Sequence, residues 1–146
     1  MGKTSVYAYL SISGEYFPID IVTERLKIEP TRKWNAGDLI KPEKPMRRSY
    51  TNWEYEVKSV ETLDVNDVLV PLIQTFENKV EIIQKLQHEY DLYNVIRIVI
   101  QIYDGHTPGL VIPVQASTFA AAIGADFDID LYAFSYKDQY DEMDYS

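Results

Sequence analysis

The chain has 146 residues, is 46% apolar and carries a net charge of -9, which suits one domain with one core and opposes binding to phosphate backbones. It has no run of about 18 apolar residues, so no membrane span is expected, and the acidic charge makes a nucleic-acid partner unexpected. It also has no cysteine, which rules out disulfides and thiolate metal sites and fits a reducing cytoplasm.

The first residues, Met1 to Ser5, lead directly into a strand pattern, so no signal peptide is expected. Val6 stands where a myristoylation signal needs Ser or Thr. Residues 6–13, VYAYLSIS, alternate: Val6, Ala8, Leu10 and Ile12 fall on one face, Tyr7, Tyr9 and Ser11 on the other. That pattern predicts a half-buried strand, ended by Ser13-Gly14-Glu15. Pro18 suits the first turn of a helix, Asp20 lies near the positive end of its dipole, and Ile19, Val22 and Leu26 keep helical spacing. The helix is expected to stop near Lys27, because Pro30 disfavours helical geometry at Glu29.

Pro30, Pro42 and Pro45 then punctuate a segment in which no regular element is predicted. It holds Trp34, Leu39 and Ile40, and it gathers the basic residues Arg32, Lys33, Lys41, Lys44, Arg47 and Arg48, with only Asp38 and Glu43 among them. Long structured loops in compact domains are often functional. The segment reads either as a covering flap, with Trp34 over a sheet edge, or as a cationic grip on its own sheet face or an anionic partner.

Residues 50–60, YTNWEYEVKSV, alternate again, with Trp53, Tyr55 and Val57 opposite Asn52, Glu54, Glu56 and Lys58. Asp64 reads as a helix N-cap, with Asp67 weakly imitating a capping box. Val65, Val68, Leu69, Leu72, Ile73 and Phe76 form an apolar stripe, and Pro71 within it predicts a kink or a late start. A second helical stretch follows at Val80, Ile83, Leu86 and Tyr90, separated from the first by Glu77-Asn78. Residues 94–103, NVIRIVIQIY, make the strongest strand: Ile96, Ile98, Ile100 and Ile102 face inward, Arg97, Val99, Gln101 and Tyr103 the other way. Asp104 to Gly109 is a turn, Val114 to Ile123 a helix, and Gly124 fits its left-handed cap. DFDIDLYAF, residues 126–134, is the last strand, with Phe127, Ile129 and Leu131 opposite Asp128, Asp130 and Tyr132.

A sheet covered on both sides would need strands apolar all round. One-sided alternation therefore predicts an α+β two-layer sandwich. Its mainly antiparallel or mixed sheet of four to five strands would carry helices on one face, in the order β-α-β-α-(α)-β-α-β. Residues 1–136 form the expected single domain, and the acidic tail 137–146 is expected to fray.

The segments SGEYFPIDIVTERLKIEPTRKWNAGD, SYTNWEYEV and GLVIPVQASTFAAAIGADFDIDLY resemble, in order, the outline of the bacterial domain-of-unknown-function family 4279. The matching positions are Ser13-Gly14, Leu26 to Thr31, Gly37-Asp38, Trp53 and Ile123 to Tyr132, so the resemblance spans roughly residues 6–134. Lys27 stands where the family has Gly, so the helix is expected to end without a left-handed cap. The resemblance carries over no activity and no catalytic residues. It implies a small cytoplasmic bacterial protein, some relatives being encoded beside secreted toxins as immunity proteins.

No catalytic constellation is present. Gly2-Lys3-Thr4 lacks the earlier glycine of a phosphate-binding loop, His88 and His106 lack metal-ligand spacing, and no Gly-x-Ser-x-Gly elbow occurs. Asp126, Asp128 and Asp130 share one strand face, but the intervening apolar residues do not make a cation loop. They read as a solvated face partly neutralised by Arg97 or Lys58, and no metal or cofactor is expected.

The open sheet face is the main candidate, with Tyr7, Tyr9, Glu54, Glu56, Arg97, Tyr103, Asp128, Asp130 and Tyr132 as the expected partner-binding residues. Aromatics set among acids fit a basic protein rather than nucleic acid. The first functional expectation is therefore a non-enzymatic interaction module, in its sharpest form an immunity-type inhibitor of a basic toxin. The alternative is a small-ligand binder or minor enzyme with a pocket under the loop of Trp34, Asp38 and Arg47, with Glu54 or Asp38 as acid-base groups. A third reading is a homodimer formed through the open sheet or an edge strand.

Overall fold

The structure, a computed structural model, describes residues 2–134. The acidic tail at 137–146 lies outside the described residues. At the centre of the fold is β1 (Ser5–Gly14), which pairs antiparallel with both β3 (Thr51–Glu61) and β4 (Tyr93–Tyr103). The short β2 (Arg32–Trp34) adds antiparallel to β3, and β5 (Asp126–Phe134) adds parallel to β4. The result is an open five-stranded mixed sheet in the order β2-β3-β1-β4-β5. A parallel neighbour needs a crossover, and α4 (Val114–Ala122) supplies it between β4 and β5.

The apolar alternation seats one face of the sheet against helices. Val6, Ala8, Leu10, Ile12, Trp53, Ile96, Ile98 and Ile100 are all buried in one cluster with Val22, Leu26, Leu69, Leu72, Phe76 and Phe119. α1 (Ile19–Leu26), α2 (Asn66–Phe76) and α4 contact this face, while α3 (Val80–Tyr90) lies against α1 and α4. Each fully buried Leu or Ile is worth roughly 1.5–3 kcal/mol of transfer free energy, so this seam dominates the stability. Trp53 ties strand to helix as well: its indole Nε1 donates to Thr23 Oγ1 at 3.0 Å.

Three local expectations need correction. α1 does end in a left-handed residue: Lys27 takes φ 58°, ψ 35°, and its N–H donates to Thr23 O at 2.8 Å. The backbone bond and the burial of Leu26 hold this geometry without glycine. Secondly, the Asp64 carboxylate does cap α2, receiving the Asn66 N–H at 3.0 Å, but no capping box closes on it: the Asp64 N–H donates to Thr62 Oγ1, and the Thr62 hydroxyl donates to Asp67. This helix runs through Pro71, which is exposed, and a 3-10 turn at Glu77–Lys79 joins it to α3. Thirdly, the proline-punctuated segment contains β2 and then an irregular hairpin. Gly37 N donates to Arg48 O, Arg48 N to Asp38 O, and Ile40 N to Met46 O, at 2.7–3.0 Å. Gly37 sits at φ 92°, a conformation that favours glycine.

At the far end of the chain, α4 closes as the sequence predicts. Gly124 takes φ 62°, and Ala125 N and Gly124 N reach back to Ala120 O and Ala121 O in a Schellman arrangement. None of the helices is long and apolar enough to cross a membrane among the described residues.

Candidate functional site

Strand register places the predicted face residues in rows across the uncovered side of the sheet. Glu56, Tyr9, Arg97 and Asp128 are successive cross-strand partners. One row nearer the hairpin run Arg32, Glu54, Ser11, Val95 and Asp126. On the other side, Tyr7 is paired with Val99 and then Asp130, and Gln101 with Tyr132. The structure thus brings Tyr7, Tyr9, Glu54, Glu56, Arg97, Asp128, Asp130 and Tyr132 onto one surface. Tyr103 shares the face but sits at its far end, stacked on Phe134 with ring centroids 4.6 Å apart.

The face is drier at its centre than alternation implies. Val95 and Val99 are buried there, as are Ser11 and Asn52. A hydrogen-bonded chain runs through this floor. Ser11 Oγ donates to Asn52 Oδ1, and Asn52 Nδ2 donates to Glu54 Oε1, both at 2.7 Å.

Arg97 organises the β4 side. Its Nε donates to Asp128 Oδ2 at 2.9 Å, its Nη1 donates to the Tyr9 hydroxyl at 2.9 Å, and Asp130 lies 4.0 Å from Nε. Burial works against the guanidinium charge, yet the hydrogen bonds with Tyr9 and Asp128 raise its pKa overall. Burial also pushes up the Tyr9 hydroxyl, although Arg97 acts in the opposite direction. Asp126, on the same strand face as Asp128 and Asp130, joins the acidic row and accepts the Tyr93 hydroxyl at 2.6 Å. That hydrogen bond raises the Tyr93 pKa. Among the described residues, no group of three or more His, Asp or Glu side chains is placed to hold a metal ion.

Glu54 is the unusual acid. It is only 8% exposed, and burial raises its pKa above the ordinary glutamate value despite opposing help from Arg32, Asn52 and Arg97. Ion pairs within 4.0 Å form at Arg25–Glu89 and around Arg97, and among the described residues none reaches Glu54. Thr31 clamps the same strand: its N–H donates to Glu54 O at 2.9 Å, and its hydroxyl receives the Glu56 N–H at 3.0 Å. A cleft of about 300 Å³ opens here between Tyr7, Tyr9, Thr31, Arg32, Glu54 and Glu56. Thr31 and Arg32 were not legible as part of it, since a three-residue strand among prolines carries no periodicity.

Trp34 is the anchor of the basic loop. The guanidinium carbons of Arg48 and Arg32 lie 4.0 and 4.9 Å from its ring centre, and Tyr50 meets its ring edge-on at 5.6 Å. Asp38 Oδ2 accepts the Asn35 N–H and Arg47 Nη1 donates to Gly37 O, both at 2.8 Å, so these two predicted residues shape the hairpin itself. The hollow beside Trp34, about 360 Å³, is lined by Pro18, Asp20, Lys33 and Asp38 among others, and its two carboxylates are exposed. Gly2-Lys3-Thr4 is structural: Thr4 Oγ1 donates to His106 O at 2.6 Å and receives the Tyr103 N–H at 3.1 Å.

No curated protein and no solved structure matches the chain. Residues 4–134 do match one family model, described as Domain of unknown function (DUF4279), and with that span covering almost the whole described fold, the chain belongs to this family.

Proposed function

We propose that this protein is a non-enzymatic interaction module that binds a basic protein through the open face of its sheet. The observation that carries the reading is the composition of that face. Tyr7, Tyr9 and Tyr132 are interleaved with Glu54, Glu56, Asp128 and Asp130, while the central cation Arg97 is already engaged by Asp128 and Tyr9. Tyrosine offers large contact area at small entropic cost, and four carboxylates set around the central cation Arg97 leave an excess of negative charge that favours cationic partners. A bacterial, cytoplasmic, immunity-type inhibitor of a basic toxin is the form of this role that best suits the charge pattern. The alternative of a ligand site under the Trp34 loop has weaker support, because the acids in that hollow, Asp20 and Asp38, are open to solvent.

The test is site-specific photo-crosslinking in the native cell. A crosslinker at position 7 or 132 should capture a basic protein, with yield falling as salt rises. A crosslinker at Lys85, exposed on α3, should not. No adduct from the sheet positions, or equal capture from Lys85, overturns the proposal.

A further inference from the structure

The cleft beside Glu54 has a chemistry of its own. Glu54 is a buried residue whose carboxylate lines the cleft, accepts one hydrogen bond from Asn52 and, among the described residues, has no ion-pair partner within 4.0 Å. Leaving a buried carboxylate without a counter-ion is costly, so the site gains if a cation enters. Arg32 lines the cleft and its charge acts on Glu54, but it closes no ion pair with it: its guanidinium lies over the Trp34 ring. Arg97 is held on the other side of Tyr9 by Asp128. Glu56 adds a second carboxylate at the mouth, and the rings of Tyr7 and Tyr9 stand nearly parallel, 15° apart, along one wall.

We propose that this cleft is an anchor pocket for one arginine side chain of a protein partner. The planar guanidinium can fork onto Glu54 and Glu56 while its face lies along a tyrosine ring. Arg97 already lies over Tyr9 in this way, 5.5 Å from the ring centre, so the face accommodates the geometry. The volume, about 300 Å³, lies at the lower limit for ligand pockets and admits one long side chain rather than a folded segment. The partner's identity rests on the docking role proposed above; the pocket's preference for a guanidinium does not.

The experiment is an NMR titration of the full chain with N-acetyl-arginine methylamide, beside the citrulline and lysine equivalents. The arginine compound should bind weakly, as a fragment does, and shift the amide signals of Tyr7, Tyr9, Glu54 and Glu56. Citrulline, without the charge, should bind about tenfold more weakly or worse. Glu54→Gln should weaken arginine binding about tenfold, and Arg32→Ala should leave it unchanged or tighter. Tyr7→Ala, at a half-exposed position outside the core, provides a second weakening variant should Glu54→Gln disturb folding. Unmoved signals, undiminished binding by both variants, equal binding of lysine, or loss of binding in Arg32→Ala would each overturn the proposal. A positive titration with negative crosslinking keeps the pocket and discards the docking role; a negative titration discards the pocket whatever the crosslinking shows.

Discussion

Arg97 and Asp128 face each other across the parallel β4–β5 pair and close an ion pair of 2.9 Å on the uncovered side of the sheet. Both side chains remain partly solvated, at 30% and 45% exposure, so the pair contributes at the level of a surface bridge, up to about 1 kcal/mol. Arg97→Met should therefore lower the free energy of unfolding by no more than about 1 kcal/mol. The loss should shrink in molar salt, as urea titrations at two ionic strengths would show. A much larger loss would mean that the whole Tyr9–Arg97–Asp128–Asp130 set acts as a cooperative network.

Lys27 holds a left-handed conformation that costs a side-chain-bearing residue roughly 1–2 kcal/mol. Glycine removes that strain but adds unfolded-state entropy, which takes back part of the gain. Lys27→Gly should thus stabilise the protein by about 0.5–1 kcal/mol, read as a rise in the urea midpoint with an unchanged m-value. Lys27→Val should do the reverse, since a β-branched side chain is poorly tolerated at positive φ.

Trp53 is fully buried, meets Phe76 edge-on at 6.1 Å and donates to Thr23. Trp53→Phe should lose that hydrogen bond and some packing, about 1–3 kcal/mol, and Trp53→Ala about 3–5 kcal/mol. Thr23→Val leaves the indole N–H unsatisfied while keeping shape, so it isolates the hydrogen-bond share. Equilibrium unfolding followed by circular dichroism measures all three.

The central strands β1 and β4 are plain in the sequence because their apolar residues alternate along most of their length. β5 spans residues 126–134 as its alternation predicts, and the helix ending at Gly124 is recognisable from one glycine. The left-handed turn at Lys27 is not legible because sequence shows which residue prefers such a turn, not which turn the tertiary structure imposes. β2 leaves no mark in the sequence because three residues cannot display a period, and because its partner strand, not its own composition, holds it extended. Glu54 was correctly placed on the polar face, but its burial was not legible. It depends on Thr31 and Arg32 arriving alongside from a segment that reads as loop. The register irregularity between Val6 and Ala8 is likewise absent from the β1 alternation.

Glu54 makes the pH dependence of stability specific. Its pKa in the folded protein is raised, mainly by burial, so the folded state binds its proton more tightly than the unfolded chain does. Below the ordinary glutamate pKa both states are protonated and Glu54 imposes no penalty. As pH rises from that value through the folded pKa, the unfolded state ionises more readily and stability falls; above the folded pKa the full penalty persists. Glu54→Gln keeps the shape and the Asn52 contact while removing the charge. It should raise the melting temperature at pH 7, and the advantage should close as pH falls below the ordinary glutamate value near 4.3. Glu56, Arg32, Arg97 and Tyr9 also face this group, so the comparison belongs between wild type and variant at each pH rather than across pH within one protein. An Arg32→Ala background should widen the difference, because the cation that most opposes the shift is then gone. A variant that gains nothing at pH 7 would show that solvent or Arg32 already compensates the Glu54 charge.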